Sequence, residues 1–236
     1  MNNLFSNKKR IFILLFYLFI ANFLLVPAFH ILNINTNIID SKNLALITIV
    51  TAIIRTLPIL LLSYKFLVKQ FKDFITIFKS KPFKTILCFV QFYILYFIIS
   101  LVVSLIFQNI GIVPQESMNN QLLGSFQKDY PIIVFMASVI IAPIEEEIVF
   151  RESIFKFTKL PTFLAGILSI LIFTAPHIID EIVKYGFTLQ TLSYAYPYLI
   201  MSLNFVLIYH YKKNIYFPII LHFINNLIAF SILNLI

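Results

Sequence analysis

Charge is scarce in this chain. Of its 236 residues, 12% are Asp, Glu, Lys or Arg, whereas 60% are apolar. A water-soluble domain carries about 25% charged and about 45–50% apolar residues, so a soluble globular fold is excluded, as are disorder and a collagen-like fibre. Cysteine occurs once, as Cys88. That excludes an intramolecular disulfide, a disulfide-stapled secreted module and a multi-cysteine zinc site. Glycine occurs four times. With so few, and with no internal repeat, the paired Gly/Pro-broken helices of a secondary transporter are not written into the chain.

What is present is apolar sequence in long runs. A bilayer core about 30 Å thick needs roughly 20 apolar residues in helical form. Seven segments qualify: Ile11–Leu32, Leu44–Leu67, Thr85–Phe107, Pro131–Phe157, Pro161–Ile179, Thr191–Tyr211 and Ile215–Ile236. The polar breaks Asn33–Asn43 and Gln108–Tyr130 punctuate them. The runs lack the polar/apolar alternation of a membrane β-barrel. The expectation is an all-α, polytopic transmembrane helix bundle of about seven spans. Residues 1–236 form a single integral membrane domain. The first run follows Lys8, Lys9 and Arg10, as in a signal peptide, but it is too long and lacks a small-residue cleavage site, so it reads as the first span.

Lysine and arginine set the orientation. With the N-terminus cytoplasmic, that side holds Lys8, Lys9, Arg10, Lys65, Lys69, Lys72, Lys79, Lys81, Lys84, Lys156, Lys159, Lys212 and Lys213, and the other side holds Lys42, Lys128 and Lys184. The bias accounts for most of the net charge of +8. It points to anionic lipid rather than nucleic acid as the partner of the basic surface. Lys69–Lys84 interleaves lysines with Phe and Ile, the pattern of an amphipathic helix in the membrane interface and an eighth helix of the bundle.

Ionisable side chains inside spans are costly and need a reason. His30 and His210 lie near span ends, where a histidine needs no special role. Arg55 is isolated in the second span, to be matched by a carboxylate elsewhere or by a lipid headgroup. The other sites are of a different kind. The fourth span holds Glu145, Glu146 and Glu147, followed by Arg151 and Glu152; the fifth ends in Phe173-Thr-Ala-Pro-His177; the seventh holds His222, Asn225 and Asn226. Glu147 and Arg151 are four apart and meet on one helical face as an ion pair. Glu146 is turned about 100° away. The midpoint of positions 146 and 177 falls on Pro161, in the turn joining the fourth and fifth spans. In an antiparallel hairpin those two residues lie at equal depth, about 20 Å from the turn, and can approach each other. His222 and Asn226 are again four apart and stack on one face.

A carboxylate beside an imidazole in a low-dielectric cavity is suited to activate water. A second imidazole and a carboxamide set opposite can donate hydrogen bonds to the oxyanion of a tetrahedral intermediate. The set therefore reads as peptide-bond hydrolysis within the membrane, with no cofactor. The alternative is zinc, held by Glu146, His177 and His222 with one open coordination position.

The three motifs Glu146-Glu147-x-x-x-Arg151, Phe173-x-x-x-His177 and His222-x-x-x-Asn226 resemble, in order and spacing, those of the CAAX protease and bacteriocin-processing family (CPBP, or Abi). The resemblance covers roughly residues 130–230, so residues 131–236 form the expected catalytic core and residues 1–130 carry spans without a signature. It implies an all-helical intramembrane endopeptidase. By motif, Glu146 and His177 activate the water, His222 and Asn226 form the oxyanion site, and Glu147 and Arg151, with Phe173, support them. It implies a glutamate-dependent enzyme in preference to a metalloprotease. Glu145 beside the pair and Asn225 beside Asn226 are resolved by the four-residue spacings.

Composition rich in Ile, Phe, Asn and Lys suggests a bacterial owner with an AT-rich genome, hence a multi-pass protein of the plasma membrane. The resemblance then favours a short hydrophobic or membrane-anchored peptide as substrate, in bacteriocin or pheromone processing or in self-immunity. The rival readings are a buried polar network that only fixes helix packing, a proton-coupled transporter, and a non-catalytic immunity protein.

Overall fold

The computed structural model describes residues 5–32, 41–113, 115–156 and 160–233. Among them the chain is helical throughout, with no strand. α1 runs through Asn7–Leu15, a π-helical stretch Phe16–Ile20, and Ala21–Ile31. α2 comprises Ser41–Thr51, the π-helical Ala52–Thr56 and Leu57–Ser80. α3 is Pro82–Asn109 and α4 is Met118–Asp129. α5 is composite: Pro131–Val134, the π-helical Phe135–Ile141, Ala142–Glu147 and the π-helical Ile148–Phe155. α6 is Thr162–Thr174 with a 3₁₀ turn Ala175–His177; α7 is Ile179–Tyr185, α8 Leu189–Lys212 and α9 Tyr216–Leu233.

Local chemistry accounts for the boundaries. Ser6 accepts a hydrogen bond from the Lys9 amide, Ser117 from Asn120 and Thr188 from Thr191, each satisfying an orphan donor at a helix start. Pro82 and Pro131 sit in the first turn of their helices, where no amide proton is needed. Gly186 ends α7 at φ +67°, a conformation that glycine adopts without steric cost.

α5 is the centre of the bundle. It packs against α1, α6 and α9, while α8 packs against α3, α6 and α9. Every residue from Ile148 to Phe155 is buried, as expected of a helix enclosed by others on all sides. α3 is the opposite case. Its most apolar window is 6% buried, against 67% for α8, and Ile94, Phe97, Leu101 and Ile106 lie exposed along it. An apolar face of that extent needs a hydrocarbon solvent.

Among the described residues, three helical stretches are long and apolar enough to cross a membrane: Lys42–Ser80, Pro82–Asn109 and Leu189–Lys212. Counting each bent pair, Asn7–Ile20 with Phe23–Phe29 and Thr162–His177 with Ile179–Tyr185, as one span brings the number to five. The seven expected segments are all helical where described. The fourth carries too many charges to count by composition, and the last, Tyr216–Ile232, is short. One expectation is corrected. The basic stretch from Lys69 does not form a separate interfacial helix, because Lys42–Ser80 is continuous. Its 39 residues span about 58 Å, well beyond a hydrocarbon core of about 30 Å, so the lysine-rich end projects past the apolar layer. The turn at Lys81 then starts α3.

α6 is held in the bundle by close approach. The Ser169 hydroxyl donates to the Phe150 carbonyl at 2.7 Å, and a Cβ at Gly166 would meet Val206 Cγ1 of α8 at 3.4 Å. Gly166→Ala should therefore be tolerated, whereas Gly166→Leu should lower stability by about 1–3 kcal/mol through overpacking, measured as thermal unfolding in detergent.

Candidate active site

Three consecutive carboxylates at about 100° per residue fan across about 200° of helix circumference, so each faces a different neighbour. Glu145 faces α2, where Arg55 Nε is 2.8 Å from its Oε1 and the Thr56 hydroxyl donates to its Oε2. The Arg55 guanidinium also lies over the Tyr17 ring, 4.8 Å from its centroid. Glu147 faces α9 and its own helix. Its Oε2 is 3.0 Å from Arg151 Nε, a close ion pair that lacks hydrogen-bond alignment. Its Oε1 is 3.1 Å from His222 Nδ1. Glu147 and Arg151 are fully buried. The guanidinium is further held by Ser202 Oγ at 3.2 Å and by the ring of Phe173, whose centroid is 4.7 Å away.

Glu146 is left over. Among the described residues no lysine or arginine pairs with it. Its side chain is 16% exposed, and its Oε2 lies 3.8 Å from His222 Nε2 without a hydrogen-bond partner. A buried carboxylate oxygen with no donor is expensive.

His222 is thereby set between two carboxylates. Glu147 Oε1 can only accept, so Nδ1 carries the proton toward it and Nε2 faces Glu146. The His222 ring stacks on Phe205 with centroids 4.6 Å apart. His177 is oriented by its own helix end. Its Nδ1 lies 2.9 Å from the Phe173 carbonyl, an acceptor, which leaves Nε2 as the open acceptor of the neutral ring. The half-buried ring is clamped between Phe173 and Tyr198, at 4.9 and 4.6 Å. Asn226 Nδ2 donates to the Ser138 carbonyl at 2.8 Å, and its Oδ1 accepts from Asn225 at 3.3 Å.

The structure thus brings Glu146, Glu147, Arg151 and His222 together directly, with Asn226 one helical turn beyond His222. His177 stands apart. It makes no ion-pair contact with Glu146, and Phe173 touches both imidazoles, stacked on His177 and T-shaped to His222 at 5.9 Å. In place of the expected approach of Glu146 to His177, the structure gives no hydrogen bond or ion pair between them, and the imidazole beside Glu146 is that of His222, at 3.8 Å. The hairpin arithmetic assumed straight helices of uniform rise. α5 contains π-helical turns on both sides of the acidic run, which shift register and facing, and the turn Ala175–His177 leads into a 72° bend before α7. Residues 157–159, in the hairpin turn itself, lie outside the described residues. Among the described residues no group of three His, Cys, Asp or Glu side chains is placed to hold a metal ion.

Sequence reasoning did not find the partner of Glu145. An arginine in an apolar run does signal a buried carboxylate, but ninety positions separate the two. The aromatic clamps Phe205 and Tyr198 gave no signal at all. Glu152, buried near the other end of α5, is tied to Arg10 and to the Tyr209 hydroxyl. His210 is exposed with its ring against Phe155. The His30 side chain lies outside the described residues.

Removing one partner of a buried pair strands the other charge, at a cost of about 3–5 kcal/mol. Arg151→Met should incur that full penalty. Arg55→Met should cost a comparable amount, because it strands Glu145, whose side chain is 3% exposed, inside the bundle. The double variant Glu147→Gln/Arg151→Met should recover much of the loss, as read by thermal unfolding in detergent.

Residues 128–228 match the family model described as type II CAAX prenyl endopeptidase Rce1-like. No curated protein and no solved structure matches the chain. The matched region contains Glu146, Glu147, Arg151, Phe173, His177, His222 and Asn226, so residues 128–228 are similar to the CAAX protease and bacteriocin-processing family over the stretch that carries all three motifs.

Proposed function

We propose that the chain is a glutamate-dependent intramembrane endopeptidase that hydrolyses a hydrophobic or membrane-anchored peptide. The observation that carries this reading is the mismatch of three carboxylates and two guanidiniums. Glu145 and Glu147 are each neutralised by an arginine, and Glu146 is held without one, its oxygen unpartnered beside an imidazole. A packing network would satisfy all three; a base must keep an unsatisfied oxygen for its substrate proton.

In this reading Glu146 takes a proton from water, and the hydroxide adds to the peptide carbonyl. His177, with Nε2 open, orients that water. His222, oriented through Nδ1 by Glu147, faces the oxyanion. Asn226 supplies a donor by exchanging the Ser138 carbonyl for the oxyanion. Collapse of the intermediate breaks the C–N bond, and Glu146 returns its proton to the leaving amine. No step is routed through a metal.

The basic bias of the loops supports a cytoplasmic N-terminus, and the composition supports a bacterial plasma membrane. In that setting the substrate class is a bacteriocin leader, a peptide pheromone or a self-immunity target.

The test is cleavage of a quenched fluorescent peptide library by detergent-purified protein, with and without a strong chelator. Glu146→Ala and His177→Ala should abolish cleavage while the fold persists. His222→Ala and Asn226→Ala should lower the rate by roughly 10²–10³, the scale for one oxyanion donor. Cleavage at wild-type rate by Glu146→Ala would overturn the assignment. Activity lost to the chelator and restored by zinc would replace it with a metal-dependent one, and protection against a bacteriocin that survives Glu146→Ala would favour a non-catalytic immunity protein.

A further inference from the structure

His177 owes little of its ring orientation to its own helix. It is the last residue of the 3₁₀ turn Ala175–His177, at a 72° bend into α7, so no regular turn continues beyond it to hold the side chain. Contacts hold the imidazole instead. They are the Phe173 carbonyl at Nδ1, the Phe173 ring and, from α8, the ring of Tyr198 at 4.6 Å.

The Tyr198 contact differs from that of Phe173 in where it leads. A phenylalanine would pack on the imidazole equally well, whereas a buried tyrosine hydroxyl costs free energy unless it is bonded. Tyr198 is 8% exposed, and its hydroxyl is bonded twice. It donates to Asn120 Oδ1 at 3.0 Å, which leaves the Ser117 hydroxyl, 2.7 Å away, to donate to it. Ser117 Oγ in turn accepts the Asn120 amide at 3.3 Å. The three residues close a ring of hydrogen bonds at the start of α4, where Ser117 is the N-cap.

The start of α4 is also tied to α7. The Met118 amide donates to Glu181 at 2.6 Å, and Glu181 is 1% exposed. α7, which follows His177 in the chain, and α8, which carries Tyr198, are therefore anchored at one point. A catalytic group must be held to within about 0.5 Å by neighbours whose own rotamers are locked, and this anchoring locks Tyr198. Ser117 and Asn120 precede residues 128–228, the stretch similar to the family, and no motif marks them.

We propose that Tyr198 is a positioning residue for His177: its ring sets the imidazole, and Ser117 and Asn120 of α4 set the ring. The inference rests on the peptidase reading above, in which His177 orients the water, and brings into that site a part of the chain outside the three motifs.

The test uses the full-length protein in detergent. Tyr198→Leu removes ring and tether together and should lower kcat roughly 10²-fold, the scale for a misplacement of about 1 Å, with KM little altered. Tyr198→Phe keeps the ring and Ser117→Ala keeps the tyrosine; each should lower kcat by roughly threefold to tenfold, the worth of one hydrogen bond. Because both cut the Ser117–Tyr198 bond, the double variant should be slowed by less than the product of the two factors. A second readout needs no cleavage. In nitrogen NMR of protein carrying isotope-labelled histidine, the His177 signals are identified by their loss in His177→Gln. They should report a proton fixed on Nδ1 in the wild type and a mixture of tautomers in Tyr198→Leu, with a smaller change in Tyr198→Phe. Tyr198→Phe and Ser117→Ala decide where Tyr198→Leu fails to fold. An unchanged kcat in both, a double variant slowed by the full product, a change in KM alone, or His177 signals indifferent to Tyr198 would each overturn the proposal. His177 signals that depend on Tyr198, in a protein that never cleaves, would retain the positioning and overturn the peptidase reading instead.

Discussion

A carboxylate removed from water must find a positive partner or hydrogen-bond donors, and the rest of this bundle is arranged around three that follow one another in sequence. Glu147 obtains its partner locally, from Arg151 one turn on. Glu145 cannot, because it points about 200° away, and its partner has to come from another helix. Arg55 thus fixes where α2 docks on α5, as His222 fixes α9. The desolvation penalty for each charge is several kcal/mol, larger than the contribution of most single apolar contacts. The charged positions therefore set the register, and the apolar side chains fill in around them.

The same constraint accounts for the irregular backbone of α5. An α-helix with Glu145, Glu146 and Glu147 on a fixed 100° spacing has little freedom to satisfy partners on α2, α9 and its own next turn together. π-helical stretches before and after the run insert extra residues per turn and change facing without ending the helix. Phe150 and Arg151 in the second stretch then reach Phe173, Phe205 and Ser202. Aromatic faces replace water around the guanidinium.

The readable part of this site was the local part. The pairs Glu147–Arg151 and His222–Asn226 follow from the helical repeat alone, and the apolar runs announce the helices. Relations across helices were readable only where symmetry supplied a substitute for coordinates. That substitute failed for Glu146 and His177, because equal distance from a turn means equal depth only in regular, straight helices. The continuity of α2 through Lys69 was hidden for a different reason. Lysines every few positions are compatible with a helix lying in an interface and with one that leaves it, and what decides between them is packing: Asn214 and the Ile215 amide bond Gln70 and hold that extension upright. The pairing of Arg55 with Glu145 depends wholly on tertiary arrangement.

The surroundings of the site differ on its two sides. Beyond His177 the environment is polar. Tyr198, whose ring packs on His177, bonds Ser117 and Asn120 through its hydroxyl, Tyr194 bonds Gln115, and Glu181 accepts the Met118 amide. Beyond His222 it is apolar, with Phe205 and then the tyrosines of α3 facing the lipid-exposed side. If Glu146 is the base, water has a chain of hydrogen-bonding groups to follow on the His177 side, and a greasy peptide has an aromatic wall on the His222 side. Phe173 packs against both imidazoles, so one apolar ring joins the polar side of the site to the apolar one.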